Sequence, residues 1–291
     1  MTLPERLIVP GSSPERLQIV ENVGYADQAL LGFLRGSPRV RTLLFSEGLI
    51  YVGDRPFFYN TATPEQEKAD PRVANEAFMA RVARHSVSVG LTMGLMMEAV
   101  YPGRGDLVET AREVMALHDL KKVAEIRWRK LFGSSDRAYD AAEQYITQVL
   151  TIAGFPPDYV TMAGSIGHNG ARDFLTAPEL WTIPRMIAYL ADDLHQETII
   201  QPDILAKVHR LQTDPRYAEA NAAGFPERGR YPMFVNADGS LRTKYELQEL
   251  ATTMMAQQVA AKLGIRWQDL GKYLIAQSIE SGLYVGKVES S

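Results

Sequence analysis

The chain has 291 residues, enough for one large domain or two small ones and for a sizeable core. Hydrophobic residues make up 46% and charged residues 23%, which excludes disorder, collagen-like repeats and low complexity as its main character. A net charge of −4 argues against a dedicated nucleic-acid surface, and zero cysteines exclude disulfides, thiolate nucleophiles, zinc ribbons and iron–sulfur clusters. Any metal must therefore be held by carboxylates and the five histidines. No apolar run approaches the roughly 18 residues of a membrane helix. The N-terminal stretch lacks a basic segment followed by a long apolar one, so no secretory signal is expected. The expected setting is reducing and cytoplasmic.

Ser13-Pro14-Glu15 predicts a helix through about Arg35, with Leu17, Val20, Val23, Ala26, Leu30 and Phe33 near one face. Leu49 to Tyr59, split by Gly53-Asp54-Arg55-Pro56, reads as a short hairpin or ordered loop. The polar stretch Thr61 to Asp70 is the best candidate boundary. A long helix is then predicted from Asn75 to about Ala99, with Phe78, Val82, His85 and Val89 on one face.

Pro102-Gly103-Arg104-Gly105 breaks that helix and lacks the third glycine of a dinucleotide-binding turn. Asp106, with Glu109 three residues on, caps a second helix predicted to run unbroken toward Leu131. Asp136 to Ile152 follows as a helix, then a glycine-rich loop through Gly164, Gly167 and Gly170. Thr176 and Glu179 have capping-box spacing ahead of a helix with Ile183, Ile187, Leu190, Ala191 and Leu194 on its apolar face. Pro215 to Arg242 reads as a long loop, Tyr245 to Leu263 and Trp267 to Ser281 as closing helices, and Gly282 to Ser291 as a frayed tail. Strand-like alternation is scarce, so the class is mainly α.

Three helical segments hold unusual residues. They are Arg84-His85-Ser86-Val87-Ser88-Val89, Ala116-Leu117-His118-Asp119-Leu120-Lys121-Lys122, and Tyr189-Leu190-Ala191-Asp192-Asp193-Leu194. Over about residues 73–200 they resemble the HD-domain metal-dependent phosphohydrolase superfamily: a His, then a His-Asp doublet, then a distant Asp. The resemblance implies an HD-domain-like helical array with additional N- and C-terminal helices. Residues 1–70 would form a cap or extension, 71–200 the metal-binding core, and 201–291 a helical extension of the same globule.

The resemblance implies His85, His118, Asp119 and Asp192 as metal ligands, with Asp193 as the alternative to Asp192. Two imidazoles and two carboxylates give a mixed N/O site suited to Mn, Fe, Ni, Co, Zn or Mg. On a helix, adjacent His118 and Asp119 lie about 100° apart and can reach one ion at its edge. Lys122 shares their face and would contact a phosphate. Lys121 stands where the common family form has glycine, placing a charged chain near the site mouth or in solvent.

His168 lies where some HD families place an extra histidine for a second metal or the leaving group; with only this one available, a single ion is expected. Asp119, Lys122 and His168 are the candidate catalytic residues. Arg127, Arg129 and Lys130 read as a solvated face, Arg172 and Arg185 as weak anion-contact candidates, and Tyr139 and Tyr145 as pocket candidates by type alone. Met93, Met96 and Met97 read as core.

The function implied is hydrolysis of a small phosphorylated substrate, with a homodimer as the family expectation. The alternatives are an HD-fold iron oxygenase and a non-catalytic sensor or interaction module.

Overall fold

The chain is described by a computed structural model covering residues 24–46, 63–132, 135–164, 166–223, 225 and 231–285. It is mainly α. A two-residue strand β1 (Gly24–Tyr25) precedes helices α1 (Asp27–Gly36) and α2 (Pro38–Ser46). Of the helix predicted from Ser13 to about Arg35, the described part holds β1 and then α1 from Asp27; its first part, like the hairpin predicted at Leu49 to Tyr59, lies outside the described residues.

Residues expected as a polar boundary instead form α3 (Pro64–Ala69). Thr63 and Gln66 cap its start reciprocally, and Pro64 occupies the first turn, where a missing N–H costs nothing. The long helix α4 runs Pro71–Val100. Met93, Met96 and Met97 are fully buried core residues on it.

The helix predicted from Asp106 to Leu131 is two helices, α5 (Gly105–Met115) and α6 (Leu120–Phe132). Asp106 makes no cap; it lies in the first turn and pairs with Arg104. Helix α7 (Ser135–Ile152) follows as expected. The glycine-rich stretch expected as a loop is mostly helical, with α8 (Pro157–Gly164) and α9 (Gly167–Thr176) meeting there.

Thr176 does not cap the next helix, because its hydroxyl donates back to Arg172 O and Asp173 O. Thr182 is the cap of α10 (Ile183–Asp193), with Pro184 tolerated in its first turn. Every residue of α10 from Met186 to Asp193 is buried. It packs against α4, α8, α9 and a later long helix at Lys244–Leu263.

After α10 comes a hairpin of β2 (His195–Gln196) and β3 (Ile199–Ile200). Then follow α11 (Ala206–Thr213), α12 (Ala218–Ala223), α13 (Lys244–Leu263), α14 (Leu270–Glu280) and β4 (Tyr284–Val285). The stretch expected as one long loop thus holds α12. Helix α13 has both end signals: a Thr243–Glu246 capping box, and Gly264 at φ 69° closing its C-terminus.

The expected frayed tail is partly ordered, since β4 pairs antiparallel with β1. One apolar cluster runs from Tyr25 and Leu30 through α4, α5 and α10 to Leu274 and Tyr284. Segments on both sides of 71–200 therefore share one core. Among the described residues no helix is long and apolar enough to cross a membrane.

Candidate metal centre

Helix α4 carries His85, the turn between α5 and α6 carries His118 and Asp119, and the end of α10 carries Asp192 and Asp193. Gly90 sets how closely α4 and α5 approach. A Cβ there would stand 2.7 Å from Arg112 O and 2.8 Å from Ala116 Cβ, so only a residue without one fits.

Met115 O explains the break between α5 and α6. It accepts from His118 N at 3.4 Å and from His118 Nδ1 at 2.6 Å. In an unbroken helix that carbonyl would take the Asp119 N–H. The doublet therefore sits on a turn, and the helical 100° spacing expected for it does not apply. Lys122 still meets Asp119, with Nζ donating to Oδ2 at 2.6 Å.

The two imidazoles are held in the same tautomer. His118 Nδ1 donates to Met115 O, and His85 Nδ1 donates to Glu197 O at 3.2 Å. Each ring then turns its Nε2 toward the carboxylates. His85 Nε2 lies 3.0 Å from Asp192 Oδ1 and 3.7 Å from Asp119 Oδ2. His118 Nε2 lies 3.5 Å from Asp192 Oδ1 and 3.4 Å from Asp119 Oδ1, and has no hydrogen-bond partner although its side chain is 0% exposed.

Ring nitrogens this close to buried carboxylate oxygens need a positive charge between them, a proton or a metal ion, and His85 Nε2 makes a hydrogen bond with Asp192 Oδ1. Donor atoms of His85, His118 and Asp192 all fall within 4.8 Å of one another, so this group can hold a metal ion. The residues fit a divalent cation in chemistry as well as spacing.

Asp119 stands beside this trio rather than within it. An isolated buried carboxylate would cost several kcal/mol, and each one here has a cation. Burial would raise the Asp119 carboxyl, but Lys122, His118 and His85 hold it below the usual range. Burial acts likewise on Asp192, and Lys207 with the two histidines holds it well below. Lys207 Nζ donates to Asp192 Oδ2 at 3.0 Å and to Asp192 O at 3.1 Å, which leaves Oδ1 facing the histidines.

Asp193 points elsewhere. It accepts from Thr252 Oγ1 at 2.9 Å and Gln248 Nε2 at 3.4 Å, and burial pushes its carboxyl up against the pull of Lys207. Of the two neighbouring aspartates, Asp192 is the one that meets the histidines. Lys121 is neither in solvent nor a screen at the mouth, since it is buried at 6% exposure and burial draws its pKa down.

The side chain of His168, and those of Arg127, Arg129, Lys130 and Tyr139, lie outside the described residues; the His168 backbone is in the first turn of α9. Arg172 pairs with Asp173, Arg185 lies over the Trp181 ring at 4.1 Å, and Tyr145 meets Trp128 edge-on.

Sequence reasoning missed three features. Lys207 carries no motif and lies 15 residues from its carboxylate. The Glu197 carbonyl is a backbone group, set by a residue at φ 55° in the turn of the β2–β3 hairpin. His195, close behind the closing aspartates, is buried and packs against His85. Its Nδ1 donates to Ala191 O at 2.7 Å, and its Nε2 meets Thr92 Oγ1 at 3.3 Å, so it faces away from the ion position. The only signal for it was its place just beyond the Asp-Asp pair.

No protein-family model, curated protein or solved structure matches the chain. What stands is a mainly α protein whose buried His85, His118 and Asp192 can hold a metal ion.

Proposed function

We propose that this chain is a metal-dependent hydrolase of phosphate esters, acting on a small phosphorylated molecule through an HD-like site. The observation that carries the reading is the unpartnered, wholly buried His118 Nε2, aimed with His85 Nε2 at Asp192 Oδ1. When bound, a divalent cation supplies a water acidic enough to attack near neutral pH and polarises a phosphoryl oxygen.

The chain's own residues supply the rest. His85, His118 and Asp192 would hold the ion, and Asp119, whose Oδ1 is 3.4 Å from His118 Nε2, would complete the set. Met115 O and Glu197 O fix both imidazoles with Nε2 inward. Lys122 has one N–H on Asp119 and two left for a phosphoryl oxygen. Its side chain is 44% exposed beside a 2% exposed carboxylate, so it stands at the solvent side of the site. His195 turns both ring nitrogens away from the ion position, which favours a single ion over a two-iron oxygenase. A cysteine-free chain suits a reducing, cytoplasmic setting.

The test is a phosphate-ester screen of metal-stripped protein reloaded with Mn, Ni, Co or Mg, beside a His118→Ala variant. Phosphate release by the wild type alone supports the reading. Equal release by both, or oxygen uptake with two irons per chain, contradicts it.

A further inference from the structure

We propose that Tyr284 is a positioning residue for the metal centre: its hydroxyl holds the β2–β3 hairpin, whose Glu197 carbonyl orients His85. This rests on the metal-centre reading and adds to it a residue from outside the 71–200 core.

A hairpin this short is marginal by itself. It has two residues per strand, and Glu197 in its turn sits at φ 55°. Gln201 N donates to Leu194 O at 2.7 Å. The neighbouring pair, His195 and Ile200, is therefore of the non-bonded type, and the Ile200 N–H points out of the ribbon. There it donates to the Tyr284 hydroxyl. On the same edge Thr198 O accepts from Tyr25 N at 3.1 Å, and Ala26 N donates to Leu283 O at 3.0 Å. The outer edge of β3 is thus closed by the paired strands β1 and β4, one from each side of the 71–200 core.

Tyr284 also ties the hairpin to the helix that carries His85. Its ring meets Tyr25 edge-on at 5.0 Å, and Tyr25 stacks on His195 at 6.0 Å. The Tyr25 hydroxyl is hydrogen-bonded at 2.7 Å to Thr92, about two turns beyond His85 on α4. His85 and the carbonyl it donates to are thus held by the same pair of tyrosines. Removing the Tyr284 hydroxyl leaves the Ile200 N–H without that acceptor, in a buried residue. The hairpin must shift to recover one, and Glu197 O, three residues back, moves with it. His85 then loses the bond that turns its Nε2 toward Asp192.

The experiment is calorimetric titration of Mn into full-length wild type, Tyr284→Phe and Thr243→Ala, with a metal-free thermal melt of each. Tyr284→Phe keeps the ring and removes only the hydroxyl. Thr243→Ala removes the cap of α13 and reports what a loss of stability alone does to metal binding. Tyr284→Phe is expected to keep one ion per chain and to weaken Mn binding about tenfold, the low end for loss of a group behind a ligand. Thr243→Ala is expected to bind Mn as wild type does. A second measurement needs no variant: amide hydrogen exchange of the wild type over residues 195–201, with and without Mn. Because the coupling is reciprocal, saturating Mn is expected to slow exchange there about tenfold or more.

Wild-type Mn affinity in folded Tyr284→Phe overturns the inference while leaving the metal centre standing, and so does equal weakening in Tyr284→Phe and Thr243→Ala. If Tyr284→Phe gives no cooperative melt, the exchange measurement decides, and hairpin exchange unchanged by Mn overturns the inference. Absence of Mn binding in the wild type overturns both it and the metal-centre reading.

Discussion

His118 Nε2 and Asp192 Oδ1 lie 3.5 Å apart in the interior, and the nitrogen has no hydrogen-bond partner among the described residues. The ring cannot turn to relieve this, because Met115 O holds its Nδ1 at 2.6 Å. Nor can the carboxylate swing freely, because Lys207 holds its other oxygen at 3.0 Å. A ring nitrogen and a carboxylate oxygen are thus fixed face to face, a geometry that gains when a cation enters.

Asp192 and Asp193 are adjacent in sequence but separable by experiment. Asp192→Asn should weaken metal binding by about 100-fold or more, since it discharges the oxygen facing both histidines. Asp193→Asn should keep one metal per chain. Thr252→Val, which strips Asp193 of its shorter hydrogen bond, should instead lower stability by about 1–3 kcal/mol. Metal titration and denaturant unfolding separate the two roles.

Gly90→Ala should destabilise the protein by about 1–3 kcal/mol, because the new methyl meets the α5 backbone rather than a yielding side chain. The same shift would carry Ala116 and the following doublet away from His85, so metal affinity should fall with the melting temperature. A variant as stable as wild type would show that α4 and α5 do not cross this closely.

Glu197 adopts φ 55° without being glycine. Glu197→Gly should raise stability by up to about 1 kcal/mol, and Glu197→Val should lower it, because a β-branched residue resists that conformation. Glu197→Val should also weaken metal binding, since the Glu197 carbonyl orients the His85 ring. Paired melts and metal titrations test this.

Burial, followed by the neighbouring His85, lowers the His195 pKa from 6.5 to about 3. The unfolded chain therefore binds a proton that the folded chain refuses between these values. Stability contributed by neutral His195 is complete above about pH 6.5 and is lost as pH falls toward 3, at no more than about 1.4 kcal/mol per pH unit. Unfolding free energies measured between pH 7 and 5 should fall more steeply in wild type than in His195→Gln.

The helical class was legible because Phe78, Val82, Val89, Leu190 and Leu194 mark apolar faces and glycine or proline marks most ends. His85, His118 and Asp192 were legible as a set because their local sequences carry them. The break at 116–119 was not, since no glycine or proline marks it; it comes from a side chain competing for a backbone carbonyl. Lys207 and the Glu197 carbonyl were not legible either. One is brought in by the packing of α11, and the other by a hairpin only two residues per strand.

The most direct measurement is the metal content of purified protein after reconstitution, beside His118→Ala and Asp192→Asn. The expected result is about one divalent ion per chain in the wild type and a loss in both variants, with melting curves showing that both remain folded. No bound metal in the wild type, or an ion retained in both folded variants, would contradict a metal centre at His85, His118 and Asp192.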